Sequence, residues 1–467
     1  MDFHVSLAGP GDLGARIYRQ LQEAVIDGRL RAGERLPPTR ELAKQLAVSR
    51  NTVALAYERL TAEGFLVGRV GAGTFVCATP PGLVSSATSL PAAARPVWQG
   101  VRAPSEMTET PEYDFRVGIP DMHEFPMDTW RRVLMRELRE LPPSSTCYGE
   151  PAGHAGLRVE IARQIGLSRS VRADPSDLIV TQGAQQALDL IGRVLVAPGD
   201  VVAVEEPGYP PARELFASLG ASVVGVPVDD EGVVVSAIPP AARLVYTTPS
   251  HQFPLGMPMS LDRRAALLDW AHRRDAMVIE DDYDTEFRFA DRPLEPLHAL
   301  DRGDRVLYVG TFSKTMLPVL RLGFLVAPRS LRTSLRAAKL LTDRHGDLTT
   351  QGALARFLAD GLFTRHVRRS ARAYAARRNL ILSILARDFA SRLVVLPATA
   401  GLHLTVRPAD PTYSVPDLVT RAVAAGVAVE SLGEYCLDRP EPGLVLGYGS
   451  VRLASIEPGL RLLSELW

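Results

Sequence analysis

The chain has 467 residues, 46% of them hydrophobic and 23% charged, a composition that excludes wholesale disorder and leaves room for roughly three domains with a sizeable core. Lys and Arg number 53 and Asp and Glu number 53, so net charge gives no general affinity for nucleic acid, and any DNA contact must come from local placement of charge. No apolar run approaches membrane-spanning length and the start MDFHVSLAGPGDLG lacks a basic region followed by an apolar core, so a cytoplasmic location is expected. Cys77, Cys147 and Cys436 lie far apart with no paired spacing, which predicts reduced thiols, no disulfide framework and no metal site.

Residues 1–76 read as a first unit. ARIYRQLQEAVIDGRL sets Ile17, Leu21, Ala24, Val25 and Leu30 at helical spacing, with Gly28 as a stop. LPPTRELAKQLAVSRNTVALAYERLTAEG predicts a short helix from about Thr39 to Leu46, a turn at Ala47-Val48, and a second helix opened by Ser49 as N-cap and ended near Gly64. FLVGRVGAGTFV alternates and turns at Gly71 and Gly73, as a hairpin does. Three helices and a hairpin make a winged helix-turn-helix. Residues 77–112, rich in Pro, Ala, Ser and Thr without a sustained period, read as a mobile linker.

From Tyr113 to Trp467 the pattern is α/β. DLIVTQ, VVAVEEP, ARLVYTTP, AMVIEDD and RVLYVGT are short apolar strands separated by helical segments, the signature of a largely parallel sheet covered on both faces. After about Leu331 the chain turns long and helical, then ends in a smaller α+β part with strands at LVVLPATAGLHLTV and LVLGYGS.

In such sheets ligands gather at the carboxyl ends of the strands, and several chemistry-bearing residues lie there. Gly183, Ala184 and Gln185 open a helix after DLIVT and offer free N–H groups to an anion. Tyr209 follows AVEEP, Asp281 and Tyr283 follow AMVIE, and Thr311, Ser313 and Lys314 follow VLYVG, with Arg321 beyond. A lysine able to lose its proton, an acid at a strand end, a phenol, an aromatic ring and a phosphate cradle are what pyridoxal 5'-phosphate requires. The lysine takes the aldehyde as a Schiff base, and the acid pairs with the ring nitrogen so that the ring accepts electrons.

The order and spacing resemble fold-type I aminotransferases, and YGEPAGHAGLR from Tyr148 and FRVGIPDMHEFPMDTW from Phe115 look like their Tyr-Gly-x-x-x-Gly and Gly-x-Pro-Asp segments. The resemblance implies Lys314 as the residue forming the internal aldimine, Asp281 on the ring nitrogen, Tyr283 on the phenolate oxygen and Tyr209 stacked on the ring. It implies a phosphate held by Gly183, Ala184, Gln185, Thr311, Ser313 and Arg321, with Tyr148 reaching in from the partner of a homodimer.

GRLRAGERLPPTRELAKQLAVSRNTVALAYERLTAEGFLVGRVGAGTFV resembles the GntR-type winged helix across nearly its whole length. In that motif the second helix enters the major groove of double-stranded DNA. The resemblance implies contacts from Ser49, Arg50, Asn51 and Thr52 at its start, from Arg40 on the helix before, and from a wing tip at Gly71 and Gly73. Residues 1–76 hold ten Lys/Arg against eight Asp/Glu, so affinity for an operator should rest on dimerisation. The two units together resemble the MocR subfamily of GntR regulators, and TPSHQFPLG from Thr248 has that subfamily's form.

Two departures bear on catalysis. Phe253-Pro254-Leu255-Gly256 stands where active aminotransferases carry Asn-Pro-x-Gly, so a hydrogen bond to the phenolate oxygen is lost or comes from His251 or Gln252. GLVLGYGS has Val445 where an arginine would clamp a substrate carboxylate, and Arg452 is the nearest arginine beyond. The expectation is a transcription regulator sensing a small molecule, either the cofactor itself, with control of vitamin B6 synthesis, or an amino acid or amine. The alternatives are a working aminotransferase with a winged helix attached and a scaffold without cofactor.

Overall fold

A computed structural model describes residues 6, 12–80, 96–99, 101, 111–141, 147–284, 286–289 and 294–467. The chain divides into two units, Met1–Ala94 and Arg95–Trp467. Of the linker expected at 77–112, residues 81–95, 100 and 102–110 lie outside the described residues.

In the first unit α1 (Leu13–Ile26), α2 (Thr39–Gln45) and α3 (Arg50–Ala62) precede an antiparallel hairpin of β1 (Leu66–Arg69) and β2 (Gly73–Val76). Asp12 starts α1 by accepting from the Gly14 and Ala15 amides, and Ser49 starts α3 by accepting from the Thr52 amide. Ile17, Leu21 and Val25 recur every four residues along α1, so they share one face, and that face buries against Val53, Tyr57 and Leu60 of α3. Tyr57 also donates its hydroxyl to Pro37 O at 3.0 Å, tying α3 to the approach of α2. The core therefore holds α3 from one side only and leaves its start in solvent.

The second unit opens with β3 (Tyr113–Asp114), α4 (Met127–Arg139) and α5 (Ala155–Arg169). Its central sheet comprises β4 (Leu178–Thr181), β5 (Val201–Glu206), β6 (Ser222–Asp229), β7 (Gly232–Val233), β8 (Ala242–Thr247), β9 (Met277–Asp282), β10 (Val306–Thr311) and β11 (Gly323–Val326). Between the strands run α6 (Gly183–Leu195), α7 (Pro210–Ser218), α8 (Leu261–Arg274) and the short α9 (Leu297–Leu300). In space the strands run β4-β11-β10-β9-β8-β5-β6-β7. The pairs β10–β9, β9–β8, β8–β5 and β5–β6 are parallel, and β11 is antiparallel to both its neighbours. The two-residue period of a strand sends alternate side chains to opposite faces. Leu307 and Val309 of β10 join the core under α6 and α7, while Val306 packs with Leu267 of α8 and Tyr308 with Leu157 of α5.

After the sheet come α10 (Arg332–Asp343), α11 (Leu348–Ala359) and α12 (Leu362–Asp388). The C-terminal part contains β12 (Leu393–Val395), β13 (His403–Pro408), α13 (Val415–Ala424), β14 (Val427–Ala428), β15 (Glu430–Ser431), β16 (Leu444–Gly447) and α14 (Leu453–Leu466). Four of its strands form the sheet β12-β13-β16-β15, while β14 pairs with β3 and so draws the start of the unit onto its end. Among the described residues no helix is long and apolar enough to cross a membrane.

Candidate cofactor and DNA-binding sites

Parallel strands end on the same edge of the sheet, and neighbouring β9 and β10 carry Asp281, opposite Val309, and Thr311 to it. Lys314 occupies the turn after β10, and its Nζ donates to Gly118 O at 2.7 Å. Gly118 has a φ of 76°, a left-handed backbone that favours glycine, and a Cβ there would lie 2.5 Å from that Nζ. Burial pushes the Lys314 amine below its ordinary range, while Asp284, Asp281 and Glu430 act in the opposite direction. A lysine whose proton is held less firmly than usual is a better nucleophile for an aldehyde.

Asp281 is buried and accepts from the Tyr246 hydroxyl through Oδ2 at 2.8 Å. Its other oxygen, Oδ1, is buried without a hydrogen-bond partner among the described residues. Burial pushes the carboxyl up to about 7, against the Tyr246 hydrogen bond. A carboxylate short of one donor is what a cationic ring nitrogen would satisfy.

Arg321 has a left-handed backbone and passes Nη2 to Gln182 O at 2.8 Å, which lays its guanidinium across the start of α6. A Cβ on Gly183 would stand 3.0 Å from Arg321 Nη2, so the glycine makes room for the arginine there. Gln185 donates to Pro211 O at 3.2 Å, and Ala184 follows Gly183 in the same first turn. Thr311 and Ser313 are buried together, with the Ser313 amide donating to Thr311 Oγ1 at 3.1 Å. Helix start, two hydroxyls and an arginine thus converge as an anion cradle.

Tyr209 begins α7 and packs edge-on against Phe253, with ring centroids 5.6 Å apart. The Tyr283 hydroxyl lies 3.0 Å from His251 Nδ1, which is also 2.9 Å from Asp284 Oδ1. Of the two candidates to replace the missing asparagine, Gln252 is committed elsewhere, its amide donating to Pro207 O at 2.9 Å and Phe253 O at 2.8 Å. His251 touches the Tyr283 phenol instead. His251, Asp284 and His403 bring ligand-type atoms within 4.8 Å of one another; His403 Nε2 faces Pro254 O at 3.0 Å and His251 Nδ1 holds Asp284, while His251 Nε2 is buried without a hydrogen-bond partner among the described residues. Val445 is fully buried on β16, opposite Thr405 and Glu430, and Arg452 is exposed just before α14. Tyr148 is 76% exposed, with the Arg344 guanidinium 4.4 Å over its ring.

In the first unit Arg50 and Asn51 are exposed at the free start of α3, beside Ser49 and Thr52, whose hydroxyls lie 2.8 Å apart. Arg40 is exposed on α2. Gly71 and Gly73 turn the hairpin with φ of 74° and 113°, and a Cβ on Gly73 would lie 3.0 Å from Arg35 Nε. Arg35 and Arg69, the latter stacked on Phe75 at 4.8 Å, add basic groups to the wing that sequence reading passed over.

The family model of aminotransferase class I and II matches residues 114–437, and that of bacterial regulatory proteins of the gntR family matches 13–76. The chain is 36% identical to the probable rhizopine catabolism regulatory protein MocR of Rhizobium meliloti, covering 96% of this chain and 92% of the relative. It is 34% identical to the pyridoxine biosynthesis transcriptional regulator PdxR of Corynebacterium glutamicum, covering 94% and 93%. The Pyrococcus horikoshii kynurenine aminotransferase structure superposes with a TM-score of 0.73 at 28% identity, covering 80% of this chain and 96% of that one. A fold-type I domain takes pyridoxal phosphate, and the unmatched Asp281 oxygen, the Gly183–Arg321 cradle and the Lys314 amine fit that group.

Proposed function

The chain belongs to the MocR subfamily of GntR-type transcription regulators, and from that premise we propose that its aminotransferase-like unit is a sensor whose cofactor state sets DNA binding. The carrying observation is a single strand-edge site uniting a nucleophilic lysine, an acid short of one donor and an anion cradle, in a chain that also holds a DNA-binding head. Bound pyridoxal phosphate supplies an aldehyde that reacts with amines and a ring that withdraws electrons.

In this reading Lys314 would hold the aldehyde carbon, and Asp281 Oδ1 would accept a hydrogen bond from the protonated ring nitrogen. Tyr283, kept in place by His251, donates to the phenolate oxygen, and Tyr209 covers the ring. Gly183, Ala184, Gln185, Thr311, Ser313 and Arg321 hold the phosphate. With Val445 buried where a carboxylate clamp would be, the domain serves sensing in preference to turnover. The cofactor is then itself the signal, and the controlled genes are those of vitamin B6 synthesis. The regulator of pyridoxine biosynthesis among the relatives supports this. The rival is an amine or amino acid that reacts at Lys314. In this reading a protein that binds operator DNA acts in the cytoplasm, and the gntR-family match supports it.

Operator binding tests the reading. Cofactor added to cofactor-free protein is expected to move the gel-shift midpoint on labelled DNA from upstream of its own gene. Arg50→Ala should weaken that binding by roughly 1–3 kcal/mol if Arg50 reads a guanine, with the visible spectrum unchanged. A midpoint indifferent to cofactor, with one amine moving both gel and spectrum, would hand the signal to the amine.

Tyr148, exposed beside Arg344, is proposed to complete the phosphate site of a partner subunit, giving a homodimer whose paired heads read repeated half-sites. Light scattering at micromolar concentration should return the dimer mass. A monomer there excludes this role for Tyr148.

A further inference from the structure

We infer that the ligand side of the Lys314 site discriminates against amines that carry a carboxylate, admitting a bare amine ahead of the amino acid built on it. This rests on the cofactor site proposed above and specifies the chemistry that can reach it. The charged groups acting on the Lys314 amine are Asp284, Asp281 and Glu430, opposed by Arg321. Arg321 is spent at the start of α6, on the phosphate side, where it donates to Gln182 O. Asp281 belongs to the ring nitrogen, and Asp284 is held by His251.

Glu430 is the remaining acid, and the backbone of two residues, Val117 and Gly118, joins it to the amine. Its Oε1 accepts from the Val117 amide at 2.9 Å, and the carbonyl of the next residue, Gly118, accepts from Lys314 Nζ at 2.7 Å. Its Oε2 accepts from the Tyr435 hydroxyl. Burial pushes the Glu430 carboxyl above its ordinary range, and the Tyr435 and Val117 donors work against that rise in favour of the ionised form. Sheet register places Val445 directly opposite Glu430, and Val445 packs with Tyr435 and Leu255 while Val117 and Phe253 lean on them. Phe253 closes the wall edge-on to Tyr435 at 5.1 Å and to Tyr209 at 5.6 Å. Arg116, which also acts on Glu430, gives Nε and Nη2 to Asp114 at 2.8 and 2.7 Å.

An incoming amine reaches the cofactor by exchange with Lys314. One C–N linkage forms and another breaks, two protons pass from the incoming nitrogen to the lysine nitrogen, and no electrons are gained or lost. A carboxylate one carbon from that nitrogen would be set against an acid and an apolar wall, and like charges in a poorly hydrated pocket repel strongly. A bare amine meets no such penalty. A site of this kind lets a cofactor sensor keep its cofactor among abundant amino acids.

The test uses full-length protein loaded with pyridoxal phosphate, its visible band followed during titration with ethylamine and with L-alanine, which differ by one carboxylate, at equal free-base concentration. Ethylamine should shift the band at a concentration at least about tenfold below that of alanine, a gap worth about 1.4 kcal/mol. Glu430→Gln keeps an acceptor for the Val117 amide and should close most of the gap, and Val445→Arg should bring alanine within range. Alanine acting at ethylamine's concentration in the unaltered protein overturns the inference. So does a response, or a shared silence toward both ligands, that neither substitution changes. A band absent before titration would instead sink the cofactor site, and DNA binding enters none of these readouts.

Discussion

Lys314→Ala is expected to remove the borohydride-reducible visible band of the cofactor-loaded protein completely, the largest spectroscopic effect of any single change in the chain. The lysine amine is the group placed against the cofactor's aldehyde carbon, donating to Gly118 O at 2.7 Å in the cofactor-free site. Its removal leaves the rest of the site standing. Arg321, the start of α6 and Asp281 Oδ1 can still hold the phosphate and the ring nitrogen, so the variant should take up cofactor that gel filtration strips away. The fold should persist, because the substitution deletes one donor to one carbonyl, worth about 1 kcal/mol. Intact protein mass after borohydride is the decisive measurement. The unaltered chain should gain the reduced cofactor and Lys314→Ala should not. A covalent gain in the variant would move the attachment to another lysine, and no band in the unaltered protein would remove the attachment altogether.

The parts of this site that were legible in the sequence share a property: each follows a strand long enough and apolar enough to be recognised. Asp281, Thr311 and Lys314 stand directly behind AMVIE and VLYVG, and both strands formed as expected, as Met277–Asp282 and Val306–Thr311. The first unit was readable for a related reason, because Ser49 and the glycines at 71 and 73 carry local turn chemistry that does not depend on the remainder of the chain. What escaped depends on distant pairing. Strand β11 has four residues and owes its place to antiparallel partners on both sides, β10 and β4, a relation that four apolar residues do not announce. Glu430 comes from a two-residue strand and is tied towards the site by the amide of Val117, 313 positions earlier in the chain. Tyr246 was hidden inside a strand that reads as uniformly buried, although its hydroxyl is the donor that holds Asp281. His251 and Gln252 were indistinguishable by position, and only their hydrogen bonds separate them.

Asp281 and Asp282 are adjacent acids on one strand, yet the two-residue period sends them to opposite faces, so their removal should have different consequences. Asp281 faces the cofactor site with Tyr246, whereas Asp282 pairs with Arg169 and accepts from Tyr308 in a pocket of about 10 Å³ on the other face. The side chains of Arg169 and Asp282 are 4% and 1% exposed, and Arg169 Nη1 is already without a hydrogen-bond partner among the described residues. Removing one partner of a buried ion pair strands the other, at about 3–5 kcal/mol. Glu286 moderates that loss. Burial pushes its carboxyl up to about 7, Asp282 adds to the rise and Arg169 opposes it. Without Asp282 the carboxyl loses its proton more readily and takes over as counter-ion to Arg169. Asp282→Ala is therefore expected to cost about 3 kcal/mol in the urea transition of the larger unit, near the lower end of that range. The same coupling sets a pH signature. A carboxyl raised to about 7 in the folded state binds a proton that the unfolded chain releases near 4.3, so stability falls as pH rises between those values by up to about 1.4 kcal/mol per pH unit for each such group. Burial, the largest cause, still raises Glu286 in Asp282→Ala, so that group's share of the slope should shrink and not disappear, while Asp281→Ala leaves it in place. Equal pH slopes in Asp282→Ala and the unaltered chain would show that Glu286 does not answer to Asp282.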